Sequence, residues 1–178
     1  MSETDILNLA RAYHFAAAKH VAQRRKGEAA EPYINHLTEV AEMVARATGG
    51  ADIEAVIAAV LHDSVEDTAT TFAELETAFG SRVAVLVAEV TDDKSLEKQV
   101  RKELQVEHAA HASTAARVIK LADKTSNVRA MVASPPAGWS DERRTEYVAW
   151  ASRVVNVCRA ASPWLAGQFD AAVGEFRL

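Results

Sequence analysis

The stretch at 57–68 constrains this chain more than any other. Ile57, Ala58, Ala59, Val60 and Leu61 run apolar, and then His62, Asp63, Glu66, Asp67 and Thr68 follow with only Ser64 and Val65 between them. Such an apolar run suits the interior of a helical core. Charged groups at the end of a buried helix cost free energy unless they are paired, hydrogen-bonded or bound to a cation. What these groups hold is therefore the first question the chain poses.

The surrounding periodicity is helical throughout. Ile6, Leu9, Ala10, Tyr13, Ala17 and Val21 recur at three and four over 2–23, with Ser2 or Thr4 as the cap. After a loop at 24–33, Asn35 is expected to cap a helix that carries Leu37, Val40, Ala41, Val44 and Ala47 to a stop at Gly49-Gly50. Asp52 caps the next, over 53–63. Thr71 and Glu74 have the spacing of a capping box for a helix to Phe79, closed by Gly80, and Val83, Leu86, Val87 and Val90 mark another over 81–90. A more polar helix is expected over 94–112, with Leu96, Val100, Leu104 and Val106 as its apolar side. Helices over 115–131, 141–158 and 163–176 complete the pattern, the last started by Ser162-Pro163. The fold class expected is all-α, one helical domain over 1–178.

A chain of 178 residues can bury a full core without staples. With 49% hydrophobic and 25% charged residues, and only 7 Gly and 4 Pro, it reads as compact and not disordered. A net charge of −5 argues against a broad nucleic-acid-binding face, while leaving room for a small anion at a local basic cluster or a metal. Cys158 is the single cysteine and reads as a core thiol. No run approaches the ~18 apolar residues of a membrane span. A cytoplasmic protein without nucleic-acid or membrane partners is expected.

Taken singly, most polar candidates have ordinary readings. His14 and His20 read as surface or partly buried histidines, and His36 in a first helical turn as structural. Arg24-Arg25-Lys26 reads as a solvated run or a helix-dipole partner. His108 and His111 have a metal-capable spacing but no neighbouring carboxylate except Glu107. Asp123 and Asn127, one turn apart, share a helix line that can face a site. The side chains of His62 and Asp63 diverge by about 100°, so both reach one ion only near the helix end. Glu66 and Asp67 are placed for general acid or base work, or else form an acidic helix end neutralised by Arg or Lys.

In order, however, His36, His62-Asp63 and Asp123 resemble the H…HD…D pattern of HD-domain metal-dependent phosphohydrolases. Arg25-Lys26, Pro32-Tyr33-Ile34-Asn35-His36, His62-Asp63-Ser64-Val65-Glu66-Asp67-Thr68 and Lys120-Leu121-Ala122-Asp123-Lys124 are similar to the hydrolase domain of the RelA/SpoT enzymes. Thr91-Asp92-Asp93-Lys94-Ser95-Leu96, Leu104-Gln105-Val106-Glu107-His108-Ala109 and Gly138-Trp139-Ser140 resemble the stand-alone small alarmone hydrolases related to the metazoan SpoT homologue. The likeness spans about 10–155. It implies an all-helical HD bundle that holds Mn²⁺ and removes the 3′-pyrophosphate of guanosine tetraphosphate, ppGpp, leaving GDP. It makes His36, His62, Asp63 and Asp123 the metal ligands, and Glu66 and Asp67 the pair that orients or deprotonates the attacking water. It places Arg25, Lys26 and Asn127 beside the nucleotide, with Lys98, Trp139, Arg143 and Tyr147 on the pocket wall or the far diphosphate. Two departures stand out: Leu37 replaces the proline that commonly follows the histidine ligand, and Thr125-Ser126 replaces a bulkier pair. The alternatives are an HD phosphohydrolase acting on another nucleotide, such as NADPH at its 2′-phosphate, and a non-catalytic nucleotide sensor.

Overall fold

The structure is a computed structural model and describes residues 2–176. Helix α1 (Glu3–Lys19) starts at Ser2, whose hydroxyl accepts the Asp5 N–H while the Asp5 carboxylate accepts the Ser2 N–H. It ends before the expected Gln23, because the Gln23 N–H turns back to His20 O and leaves Val21 exposed. Helix α2 (Ile34–Ala47) begins two residues earlier than expected, with Tyr33 and not Asn35 at its cap. No side chain caps it. Tight bonds from Asn35 N–H to Pro32 O and from His36 N–H to Tyr33 O use first-turn donors that a cap would otherwise serve.

Helix α3 (Ile53–Leu61) is capped by Asp52 and buried at every position from Ala55 onward. It stops short of Asp63, and a single turn, α4 (Ser64–Asp67), follows. The interruption has a local cause. His62 Nδ1 bonds Ala59 O at 2.8 Å, the acceptor that a continuing helix would offer to the Asp63 N–H. His62 and Asp63 keep αR dihedrals at this helix end, and their side chains converge just beyond it, His62 Nε2 lying 3.0 Å from Asp63 Oδ2.

Helices α5 (Phe72–Phe79) and α6 (Ser81–Val90) meet at Gly80, whose φ of 94° suits glycine. Helix α7 (Lys98–His111) begins later than expected, because Asp93 folds 92–97 into a turn through Ser95 and Leu96 N–H bonds. Leu96 and Val100, assigned above to its apolar side, are exposed. Helices α8 (Thr114–Ala133), α9 (Asp141–Cys158) and α10 (Pro163–Glu175) are capped by Ser113, Ser140 and Ser162, with a 3₁₀ turn at Arg159–Ala161. Among the described residues there is no strand, only isolated bridges pairing Arg24 with Pro32 and Gly27 with Pro136. The all-α expectation holds. No described helix is long and apolar enough to cross a membrane.

Two helices organise the packing. α3 is surrounded by α1, α2 and α6, and α8 by α2, α9 and α10, so α2 touches both. Fully buried Leu37, Leu61 and Leu121 lie in that seam. Burying each such side chain is worth about 1.5–3 kcal/mol. Each also sits within two residues of a candidate ligand: Leu37 beside His36, Leu61 beside His62, and Leu121 near Asp123. The core thereby pins the polar end of α3 against α2 and α8.

Candidate active site

His36 Nε2, His62 Nε2 and a carboxylate oxygen of Asp123 lie within 4.8 Å of one another. Asp123 Oδ1 is 3.4 Å from His36 Nε2 and 3.9 Å from His62 Nε2, and Asp63 Oδ2 is 3.6 Å and 3.0 Å from the same atoms. None of these approaches is aligned as a hydrogen bond, so both buried Nε2 atoms lack a partner.

The tautomers follow from what each Nδ1 meets. His62 Nδ1 faces a carbonyl, which only accepts, so it carries the proton. His36 Nδ1 lies 2.8 Å from Ser126 Oγ, whose own hydroxyl donates to Glu39 Oε2 at 2.6 Å, so this nitrogen is also the donor. Both rings therefore turn Nε2 toward the same point. Orphaned imidazole nitrogens facing two carboxylates make a mixed N/O set that fits a divalent cation.

Burial and charge pairing compete within the cluster. Burial keeps His36 below the usual imidazole range. Burial also opposes charge on His62, but the Asp63 and Asp123 carboxylates outweigh it and hold this ring up to about 9. Asp63 and Asp123 stay well below the ordinary carboxylate range despite burial, Asp63 through the two histidines and Asp123 chiefly through Lys124. The Lys124 ammonium donates to Asp123 Oδ2 at 2.8 Å, leaving Oδ1 toward the histidines. The Tyr33 hydroxyl donates to Asp63 Oδ2 at 2.6 Å.

Glu66 and Asp67 stand on α4 at the rim of this cluster. Burial, then the Asp63 and Asp92 charges, push the Glu66 carboxyl up to about 7. Its Oε2 accepts the Asp92 N–H at 3.2 Å. Asp67 accepts from Lys94 and, at 2.8 Å, from Gln23 Nε2. Gln23 Oε1 in turn meets the ring of buried His20, which stacks on Tyr33. Lys94 also lies 3.8 Å from Glu66, so the acidic turn is partly neutralised as well as poised beside the cluster.

A cleft opens over the cluster in two lobes of about 300 and 510 Å³. Lys26, Asn127, Trp139 and Tyr147 line both; Lys98 and Arg143 line the smaller, and Arg25 the larger. Arg25 donates to Asn127 Oδ1 at 3.1 Å, and Asn127 Nδ2 donates to Asp123 Oδ1 at 2.5 Å. Arg143 stacks 4.2 Å over Trp139, and the Trp139, Tyr147 and Trp150 rings form one wall. Of the residues proposed from the sequence, all but His36 line this cleft, and His36 lies buried behind Asp63 and Asp123 at its floor.

Several residues at the cleft have no role assigned from the sequence, although Tyr33, Lys94 and Lys124 lie inside the motifs quoted above. Tyr33, Lys94, Lys124 and Trp150 are drawn in by tertiary packing. Gly27 is another. A Cβ there would lie 2.4 Å from Ser134 O, and the loop at 24–33 is strapped to the α8–α9 loop by Glu28 N–H to Pro135 O and Ala137 N–H to Lys26 O.

The sequence matches the HD-domain family model over residues 12–153. The chain belongs to the HD-domain family. Among its relatives is the guanosine-3′,5′-bis(diphosphate) 3′-pyrophosphohydrolase MESH1 of Xenopus tropicalis, 47% identical over 94% of this chain and 93% of that protein. The protein of the same name from Homo sapiens is 49% identical over 85% of each chain. Among solved structures, that of a metazoan ortholog of SpoT described as hydrolysing ppGpp superposes with a TM-score of 0.90 at 43% identity, covering 94% of both chains. The HD bundle expected from the sequence is the fold the chain has.

Proposed function

We propose that this protein is a ppGpp 3′-pyrophosphohydrolase, working as one domain over 1–178 with Mn²⁺ as its metal. The observation that carries the reading is the pair of orphaned Nε2 atoms facing Asp63 and Asp123 beside a carboxyl held near neutrality. Close relatives that carry the activity in their names support the choice of substrate. His36, His62, Asp63 and Asp123 would hold the metal, whose N/O donor set suits Mn²⁺. When bound, a divalent cation supplies Lewis acidity to the scissile phosphoryl group.

The remaining work falls to the chain's own groups. Glu66 takes a proton from the attacking water, for which a pKa of about 7 is well matched. Asp67, fixed by Gln23 and Lys94, orients that water. The water oxygen bonds to the phosphorus on the 3′ oxygen, the P–O3′ bond breaks, and the 3′ oxygen leaves with a proton. GDP and pyrophosphate balance ppGpp plus water. Arg25, Lys26 and Asn127 position the nucleoside end, and Lys98 and Arg143 the second diphosphate, with Trp139 and Tyr147 as the wall.

The test offers ppGpp and NADPH in parallel to metal-stripped protein with and without Mn²⁺. Pyrophosphate from ppGpp, only with metal, is expected. Orthophosphate from NADPH alone, or no product, would overturn the reading. Combined Glu66→Gln and Asp67→Asn should abolish turnover while metal still binds; retained turnover sinks the role given to the pair.

A further inference from the structure

Lys98, Arg101, Lys102 and Gln105 fall at i, i+3, i+4 and i+7 of α7, one helix face, and all four line the cleft. Arg101 differs from its neighbours. Lys102 lies over the Trp150 ring at 5.2 Å, and Gln105 donates to Asp92 Oδ2 at 2.6 Å. The Arg101 guanidinium has no hydrogen-bond or ion-pair partner among the described residues, and its Nε is buried and unmet. Buried donors are normally satisfied, so a guanidinium left without any partner on a residue that lines a cleft points to a ligand.

Position decides which ligand group it meets. Lys98, Lys102 and Arg143 line only the smaller lobe, whereas Arg101 and Lys26 are the two cations that line both. Asp63 and Glu66 line both as well, so Arg101 looks onto the junction where the reacting centre lies. A guanidinium presents a planar fork that matches a phosphate's oxygens.

We propose that Arg101 is a further catalytic residue that grips the diphosphate being cut from the 3′ oxygen. It stabilises the charge on the non-bridging oxygens through the transition state and in the pyrophosphate product. Lys98, Lys102 and Arg143 then serve the diphosphate that is kept. This inference rests on the proposed ppGpp hydrolysis, but pyrophosphate binding tests it separately.

The experiment measures calorimetric binding of inorganic pyrophosphate to the metal-loaded parent, Arg101→Gln and Arg101→Lys, together with kcat and KM for ppGpp. In Arg101→Gln, pyrophosphate affinity should fall at least about tenfold and kcat roughly a hundredfold. Added guanidinium ion should restore part of the turnover of Arg101→Ala. Arg153→Gln, which breaks an exposed pair with Glu103, should match the parent in both measurements. Pyrophosphate affinity of Arg101→Gln within twofold of the parent overturns the proposal, as does a lost kcat with unchanged affinity and no rescue. If Arg101→Gln does not fold, Arg101→Lys decides: affinity below the parent's supports the fork, and affinity equal to the parent's overturns it. A parent that binds pyrophosphate through Arg101 yet leaves ppGpp intact would sink the functional reading alone.

Discussion

Ser126→Ala removes one oxygen from a fully buried position and tests how the proposed metal centre is oriented. The hydroxyl accepts from His36 Nδ1 at 2.8 Å and donates to Glu39 at 2.6 Å, and Glu39 also meets Arg129 at 3.3 Å. Glu39 is partly exposed, so water can replace its lost donor. The buried Nδ1–H has no such recourse. Leaving it unmet should cost the metal-free fold about 1–3 kcal/mol. Loss of a partner behind a ligand histidine typically lowers metal affinity 10–100-fold, or about 1.4–2.7 kcal/mol. The two costs arise from one bond and do not add. Affinity falls only insofar as that bond is stronger when Nε2 binds a cation, and the acceptor is a neutral hydroxyl, so a loss near tenfold is expected. Calorimetric titration of Mn²⁺ into stripped protein measures it. Thr125→Ala is the matched control: its hydroxyl is equally buried but serves Leu121 O, so it should lower stability without moving affinity. An unchanged Mn²⁺ affinity in Ser126→Ala would refute the assignment of Ser126 as the group that orients His36.

Metal loading at pH 7 should release about one proton, because His62, held up to about 9, must give up its Nε2 proton. Titrations in buffers of differing ionisation enthalpy measure this, and no release would contradict the charge assigned to His62. The same raised value makes the metal-free fold's contribution from His62 complete below about 6.5 and lost as pH rises through about 9, while Mn²⁺ affinity climbs over that range. Gly27→Ala should raise KM for ppGpp roughly tenfold, because its Cβ meets a backbone oxygen that has little room to yield and overpacking of this kind costs about 1–3 kcal/mol. Mn²⁺ affinity should stay unchanged, since no ligand lies on that loop; an unchanged KM would refute the role of the strap.

Helical period and the ordered histidines and carboxylates were legible because both are patterns along the chain. The break after Leu61 was not, since a ring nitrogen competing for the Ala59 carbonyl has no signature in periodicity. Helix α7 misled for a related reason. Leu96 and Val100 look like core residues, but the inward face at Lys98, Arg101 and Gln105 is polar because it borders a cleft rather than a core. Tyr33, Lys94 and Lys124 are single residues whose roles depend on contacts across the fold or on burial, which spacing does not encode. The acidic turn carries the Lys94 pairing that one of its readings names, and its place beside the histidines is what the other requires.

The bond from His62 to Ala59 O ties the proposed metal centre to the backbone of the most deeply buried helix. The ring's aim is therefore set by the axial register of α3. A substitution at Ala55, Ala58 or Ala59 that slides this helix even slightly would rotate a donor atom away from its companions. Mn²⁺ affinity is thus a gauge of core alignment, able to report displacements in the bundle too small to melt it.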